Sequence, residues 1–422
     1  MFYSYPYKKL RFPIQCVWLK LNGSWPLAET STEKENKPFY GHSFFATAYT
    51  IWAWYVIASV GITISYQTAF LLKNLSDIII TTENCCTTFM GVLNFVRLIH
   101  LRLNQRRFRE LIEHFSYEIW IPDSSKNSVG AECRKRMFTF SIMTALLSCL
   151  IIMYCVLPLV EIFFGPQIDP QEKPFPYKMV FPYNPYKSWI RYVGTYMFTS
   201  FAGICVVTTL FAEDTILGFF ITYTCGQFRL LHKRIDKLFT GIVNPELAED
   251  VQLDRIKRIV QKHNNIIRFA KRLEDFFNPI LLANLMISSV LICMVGFQII
   301  TGKNMFIGDY VKFIIYISSA LSQLYILCDN GDALIKQSTV TAQVIYECQW
   351  EGSDRIESYK PSSKRVRNHL GFMILCSQQP VRITAFKFST LSLQSFTAIL
   401  STSISYFTLL RSVYFDDEKA HD

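Results

Sequence analysis

The residue types that carry most enzyme chemistry are present in this chain, but not at working spacings. Seven histidines stand at positions 42, 100, 114, 232, 263, 369 and 421, with no HxxxH or HExxH pattern, and twelve cysteines form no CxxC pair, so zinc or redox chemistry is not indicated. No glycine-rich phosphate loop occurs and no Ser-His-Asp spacing is evident. Glu83, Glu161 and the pair Glu213–Asp214 fall at or near the ends of apolar stretches. They do not pair as an intramembrane proton relay would, and Glu83 reads as an interface or water-facing carboxylate. Asp329 and Asp332 in "CDNGDAL" read as helix-end hydrogen bonders. An enzyme is therefore not expected, and no cofactor is implied.

One stretch does suggest a physical job. The chain closes with "SYFTLLRSVYF" (405–415), an apolar segment rich in Ser and Thr. At 100° per residue, Thr402, Ser405, Tyr406, Ser412 and Val413 fall within about 60° of Leu409, and Asp416 continues the stripe. Leu400, Ile404, Phe407, Arg411 and Phe415 lie opposite. Hydroxyls on one face can line water, and Leu409 with Val413 can form an apolar constriction that gates by dewetting. Asp416 would then stand at the outer mouth. The same small polar face also suits ordinary helix packing. A pore would need several copies of the helix around an axis.

The elements that must hold such a face are long and apolar. Half of the 422 residues are hydrophobic and 15% are aromatic. A bilayer core needs about 20 apolar residues per helix. Seven stretches qualify, near 44–72, 75–96, 137–160, 189–212, 278–300, 310–328 and 388–415. The sequence predicts an all-α membrane protein with seven transmembrane helices, and residues 1–43 lack the pattern of a signal peptide. Of the 43 Lys and Arg, 34 lie in residues 1–43, 97–136, 213–277 and 333–387. These segments share one side of a seven-span chain, so the positive-inside bias predicts a cytosolic N-terminus and an extracellular C-terminus. The net charge of +10 is thereby accounted for without nucleic acid. A G-protein-coupled receptor would have the opposite orientation.

The predicted organisation is a cytosolic segment 1–43; spans one to four over 44–212, forming an outer-half bundle with the outer loop 161–188; a cytosolic helical extension 213–277; spans five and six over 278–332; cytosolic amphipathic helices over 333–387; a pore-lining seventh span 388–415; and an extracellular tail 416–422. The helix of the second span is predicted to run on into "RLIHLRLNQRRFRELIEHF". Six prolines and many aromatics in 161–190 rule out a regular helix there and predict a packed cap. The amphipathic stripes of 213–277 and 333–387 need a protein partner, within the chain or from another subunit. "NGS" at Asn22 and "NLS" at Asn74 match the glycosylation pattern; Asn22 falls on the cytosolic side and Asn74 outside, close to the bilayer.

Four segments carry a resemblance. "KFSTLSLQSFTAILSTSISYFTLLRS" resembles the C-terminal signature of insect odorant receptors, and "TCGQFRLLHKRI" (224–235) resembles the segment after their fourth span. "ILCDNGDALIKQSTVTAQVIYECQW" is similar to their sixth-span exit, and "MVFPYNPY" to their second outer loop. The ending lacks the "TYxxxxxQF" of the related gustatory receptors, which with a metabotropic seven-span receptor form the alternative readings. It looks like a ligand-tuning subunit rather than the co-receptor. The resemblance implies an odorant-gated, non-selective cation channel in the plasma membrane of olfactory sensory neurons. It implies four subunits, including the co-receptor, around a pore lined by the last helix. Leu409 and Val413 fall on the family's gate positions, and Ser412 lies where the co-receptor carries Gln. The family's pocket for a small volatile lies in the outer half of the membrane, between spans two to four and six. Here that region offers Ile79, Thr82, Cys86, Cys149, Met153, Tyr154, Thr195, Tyr196, Thr199, Tyr316 and Ser319.

Overall fold

A computed structural model describes residues 12–26, 40–121, 128–164, 173–240, 248–301, 307–348, 350 and 363–421. The long elements are α2 (Tyr40–Lys73), α3 (Ile78–Leu103), α5 (Ser128–Phe164), α6 (Trp189–Ile235), α7 (Ala248–Thr301), α8 (Ile307–Glu347) and α10 (Leu393–His421). The short helices are α1 (Cys16–Leu21), α4 (Gln105–His114) and α9 (Lys364–Ser377). Five of the long helices are long and apolar enough to cross a membrane. The other two, α3 and α10, have 26 and 29 residues, so each exceeds the roughly 30 Å apolar core at 1.5 Å per residue. Their Thr, Ser and Asn content lowers their hydropathy. The seven helices match the seven predicted stretches in order.

Several boundaries differ from those read in the sequence. The fourth stretch and its extension form one 47-residue helix, α6, and the fifth stretch begins far back in the 54-residue α7. Hydropathy marks where a helix leaves lipid, not where it ends. Asp329 and Asp332 likewise lie inside α8, not at a helix end. Asp329 instead accepts a 2.5 Å bond from Arg136 Nη2, whose Nε reaches Asn330 Oδ1 at 3.2 Å. Helix α3 runs past the apolar stretch as far as Leu103 but not through the whole basic stretch after it. It breaks at Asn104 (φ −102°, ψ 26°), whose Nδ2 donates to the His100 carbonyl. The chain restarts as α4 and ends in one π-helical turn, Phe115–Ile119.

The amphipathic stripe of α7 finds its partners within the chain, whereas on α9 Val366, Leu370 and Met373 are buried and Phe372 and Leu375 stay exposed. Ile256, Ile259, Ile266, Phe269, Leu273 and Phe276 of α7 are buried, while Val251 stays exposed. Phe108 stacks on Phe276 at 5.3 Å and Trp120 on Tyr223 at 4.9 Å. The N-terminal segment closes this layer: Leu19 and Trp25 are buried, and Phe12 meets Trp25 edge-on at 5.1 Å. Asn22 is buried too, and its Nδ2 donates to Thr208 and Thr209 at 3.0 and 2.9 Å, so this sequon serves as a packing contact.

Helix α6 is the axis of the bundle, buried almost without interruption from Val207 to Phe228. Gly218 permits this: a Cβ there would lie 1.9 Å from the Phe140 ring of α5. Before α10 the chain makes a two-stranded hairpin, β1 (Thr384–Ala385) with β2 (Ser389–Thr390). Phe386 and Lys387 take φ of 49° and 61° at its tip. Two residues per strand leave too short an alternation to read from sequence.

Candidate functional site

Helices α2, α3, α5, α6 and α8 line a cavity of about 50 Å3. Its walls are aliphatic, including Val60, Ile64, Met90, Leu150, Ile151, Val206 and Val207, with Thr63, Gln67 and Thr87 as the sparse polar groups. Three tyrosines complete it. Tyr316 of α8 is fully buried and donates to the Cys86 carbonyl at 2.9 Å. Tyr154 of α5 stacks on Tyr177 at 5.5 Å and 24°. Tyr177 enters from the outer loop, and a Cβ on Gly203 would lie 2.1 Å from its hydroxyl oxygen. Glycine at 203 is what lets this phenol reach the helix backbone. Burial pushes that phenol's pKa upward.

The loop that delivers Tyr177 is packed, as its prolines and aromatics predict. Phe175 lies 4.9 Å from Tyr192 and 5.0 Å from Phe181, and Tyr192 donates to the Pro174 carbonyl at 2.7 Å. Behind Tyr154 and Tyr177 lies a second, polar space of about 370 Å3. Glu83, Glu161, Asp309, Lys178 and Lys312 line it. Lys178 Nζ is 2.6 Å from Glu83; Lys312 Nζ is 2.6 Å from Asp309 and 3.9 Å from Glu83. The Lys312 ammonium also sits 5.2 Å from the centre of the Tyr154 ring, within cation–π range.

The candidate ligand residues divide accordingly. Tyr154 and Tyr316 line the apolar cavity; Ile79, Met153 and again Tyr154 line the polar space. Thr82, Cys86, Tyr196, Thr199 and Ser319 are buried in the bundle and line neither cavity. Thr82 accepts from Gln298 at 2.6 Å, Tyr196 donates to the Cys155 carbonyl, and Thr199 and Ser319 bond within their own helices. Thr195 pairs with the Tyr183 hydroxyl beside a separate surface depression. Cys149 is exposed on the outer face of α5 and belongs to neither space. It lies one residue from Leu150, and one position turns a side chain by 100°. Sequence reasoning missed Tyr177, Gly203 and the whole contribution of α2. Thr63 and Gln67, four apart on one face of a mainly apolar helix, were the available signal, since such a pair needs a protein-facing side.

The last helix docks by a single stripe. Ser403 is buried and its hydroxyl reaches the Ser289 carbonyl of α7 at 3.0 Å; Tyr414 meets Phe297 edge-on at 5.6 Å. Phe407 and Leu410 complete the stripe as half-buried residues. On the wheel this stripe is centred about 130° from Leu409. Leu409 and Val413 are 64% and 46% exposed, and Ser405, Ser412 and Arg411 are exposed as well. The side chain of Asp416 lies outside the described residues. Among the described residues, the hydroxyl face around Leu409 is exposed rather than buried against the bundle.

A buried ionic group was not anticipated. Glu213 and Asp214 do not sit at a helix end but in the middle of α6, facing the fully buried Arg97 of α3. Arg97 Nη1 is 2.9 Å from Asp214 and 3.5 Å from Glu213, and Gln323 of α8 donates to Asp214 at 2.5 Å. Among the described residues no cluster of three His, Cys, Asp or Glu could hold a metal ion.

Comparison with known proteins agrees with this architecture. The family model described as 7tm Odorant receptor matches residues 77–404. Odorant receptor 13a of Drosophila melanogaster is 83% identical over the full length of both chains. Odorant receptor 22c of the same species is 25% identical, covering 92% of this chain and 94% of its own. Among solved structures, the insect olfactory receptor OR5 from Machilis hrabei in complex with eugenol superposes with a TM-score of 0.74 at 15% identity, over 94% of this chain and 97% of that one. That last likeness concerns the fold alone. The chain belongs to the 7tm odorant receptor family.

Proposed function

We propose that the protein is an odorant-gated cation channel subunit in the plasma membrane of olfactory sensory neurons. It works with the family's co-receptor in a hetero-oligomer, a ring of four subunits. The observation that carries this reading is the pairing of an almost wholly apolar cavity between the helices with a last helix whose hydroxyl-bearing face is exposed. Such a cavity suits a small volatile held by shape and dispersion, with Thr63, Gln67 and Thr87 as the polar contacts. The open face carries Leu409 and Val413 side by side with Ser405 and Ser412. Brought together around an axis, four such faces give a water-lined path with an apolar narrow point. Asp416, on the same stripe of the wheel, would stand at its outer mouth. The N-terminus is read as cytosolic from the distribution of Lys and Arg.

The test is co-expression with the co-receptor and a panel of volatiles that includes eugenol, under voltage clamp. An odour-evoked, cation-selective current is expected, and Leu409→Ala or Val413→Ala should change its gating or ion selectivity. If the pair conducts identically after both substitutions, the last helix does not form the gate. An epitope at the N-terminus that is accessible on intact cells would overturn the orientation.

A further inference from the structure

We infer that odorants reach the apolar cavity from the extracellular water through the polar space beneath the outer loop, with the Tyr154–Tyr177 pair as the partition between the two. This rests on the functional reading above. The two spaces share three residues, Thr87, Tyr154 and Tyr177, so a wall one side chain thick separates them. The polar space is hydrated from outside, because its charged groups are partly exposed. The side chains of Lys178, Asp309 and Glu83 are 47%, 29% and 26% accessible.

The two halves of the partition are held differently. Tyr154 is fixed in the helix α5, with the Lys312 ammonium against its ring and Asp309 and Glu83 fixing that ammonium. Tyr177 is carried by a loop segment between Pro176 and Lys178 and is seated against Gly203 and the Tyr154 ring. Rotation of one loop-borne side chain therefore joins the spaces, while the helix-borne ring stays pinned. The chemistry of the route sets what passes. Ions of either sign find partners among the carboxylates and ammonium groups of the outer space, but would shed hydration to enter an aliphatic cavity without a counter-charge. Neutral, weakly polar volatiles pass both.

A route differs from a binding site in its kinetic signature. Narrowing a route slows entry and exit by the same factor and leaves the equilibrium affinity unchanged. Leu157 and Glu161 line the outer space but not the inner cavity. Leu157→Cys and Glu161→Cys receptors, co-expressed with the co-receptor, would be treated from outside with the cationic, membrane-impermeant reagent methanethiosulfonate-ethyltrimethylammonium. Wild type treated identically controls for the native cysteines. The agonist is eugenol or the strongest activator in the volatile panel. The expected result is a several-fold slowing of both current onset and washout, with half-maximal concentration and maximal current retained. Two results overturn the inference: labelling of the introduced thiol, shown with a biotin-linked reagent, with unchanged onset and washout; or no labelling at either position. Absence of any odour response in untreated wild type would instead refute the functional reading, and the labelling arm would still decide whether the space is open to water.

Discussion

The Arg97 cluster makes the sharpest stability prediction. Arg97, Glu213 and Asp214 have side chains at most 4% exposed. The Arg97 guanidinium is 2.9 Å from one carboxylate and 3.5 Å from the other. Arg97→Met removes the cation and leaves two carboxylates in a dry interior. Breaking a buried pair on one side costs about 3–5 kcal/mol, because the surviving charge is stranded. The triple variant Arg97→Met, Glu213→Gln, Asp214→Asn strands none. The amide it places at position 214 would keep an acceptor for Gln323, so this variant should lie within about 2 kcal/mol of wild type. The carboxylates should also differ. Asp214 accepts from both Arg97 and Gln323, whereas among the described residues no hydrogen bond reaches either Glu213 oxygen. Asp214→Asn should therefore destabilise more than Glu213→Gln. Thermal unfolding of the detergent-solubilised protein, followed by size-exclusion chromatography of a fluorescent fusion, gives the order. If Arg97→Met melts with wild type, or the triple variant is no better than the single, the cluster does not tie α3 to α6 by charge.

Three further outcomes follow from the geometry. Gly203→Val should displace Tyr177 and abolish or right-shift the odour response, with surface expression retained on biotinylation; an unchanged dose–response would show that Tyr177 does not shape the cavity. Asn22→Gln should leave the electrophoretic mobility of the mature protein unchanged with and without glycosidase, since its amide is held by Thr208 and Thr209. His114 should give an acid-sensitive component of stability. Burial first, then the Arg272 guanidinium 3.3 Å from its Nδ1, holds its pKa below the ordinary range. Arginine has no acceptor, so Nδ1 accepts and the ring is neutral. Below about pH 6.5 the unfolded chain takes up this proton more readily than the folded one, so this contribution is present above that pH and lost on acidification. His114→Gln should flatten the fall in melting temperature between about pH 7 and about pH 5; an identical profile would exclude this residue.

Much of the architecture was legible because its signals are local. Seven apolar stretches, the alternation of Lys and Arg between them, and the 3.6-residue stripes of α7 and α9 are properties of short windows. The helical wheel of the last span also set the docking residue Phe407 opposite the exposed face around Leu409. What was misread depends on packing and on partners distant in the chain. Asn104 breaks a stripe that reads as continuous, because its side chain caps the preceding turn. Cys149 faces outward while its neighbour Leu150 lines the cavity, since the rotation of α5 is fixed by α6 and α8. Asp329 reads as a helix-end residue until Arg136, almost two hundred residues earlier, is seen to be its partner.

By itself the sequence determined a helical membrane protein, its span order, its charge asymmetry and a hydroxyl-bearing last helix. Composition and periodicity are enough for these, because burying apolar faces and satisfying backbone hydrogen bonds in lipid leave few alternatives. Only the tertiary structure decided which polar residues share an interior. Arg97 meets Asp214, Tyr177 comes to rest over Gly203, and Gln67 lines a cavity that four other helices also line. The first two contacts join residues 117 and 26 positions apart. Their selection depends on helix rotation and close packing, which no window of sequence records.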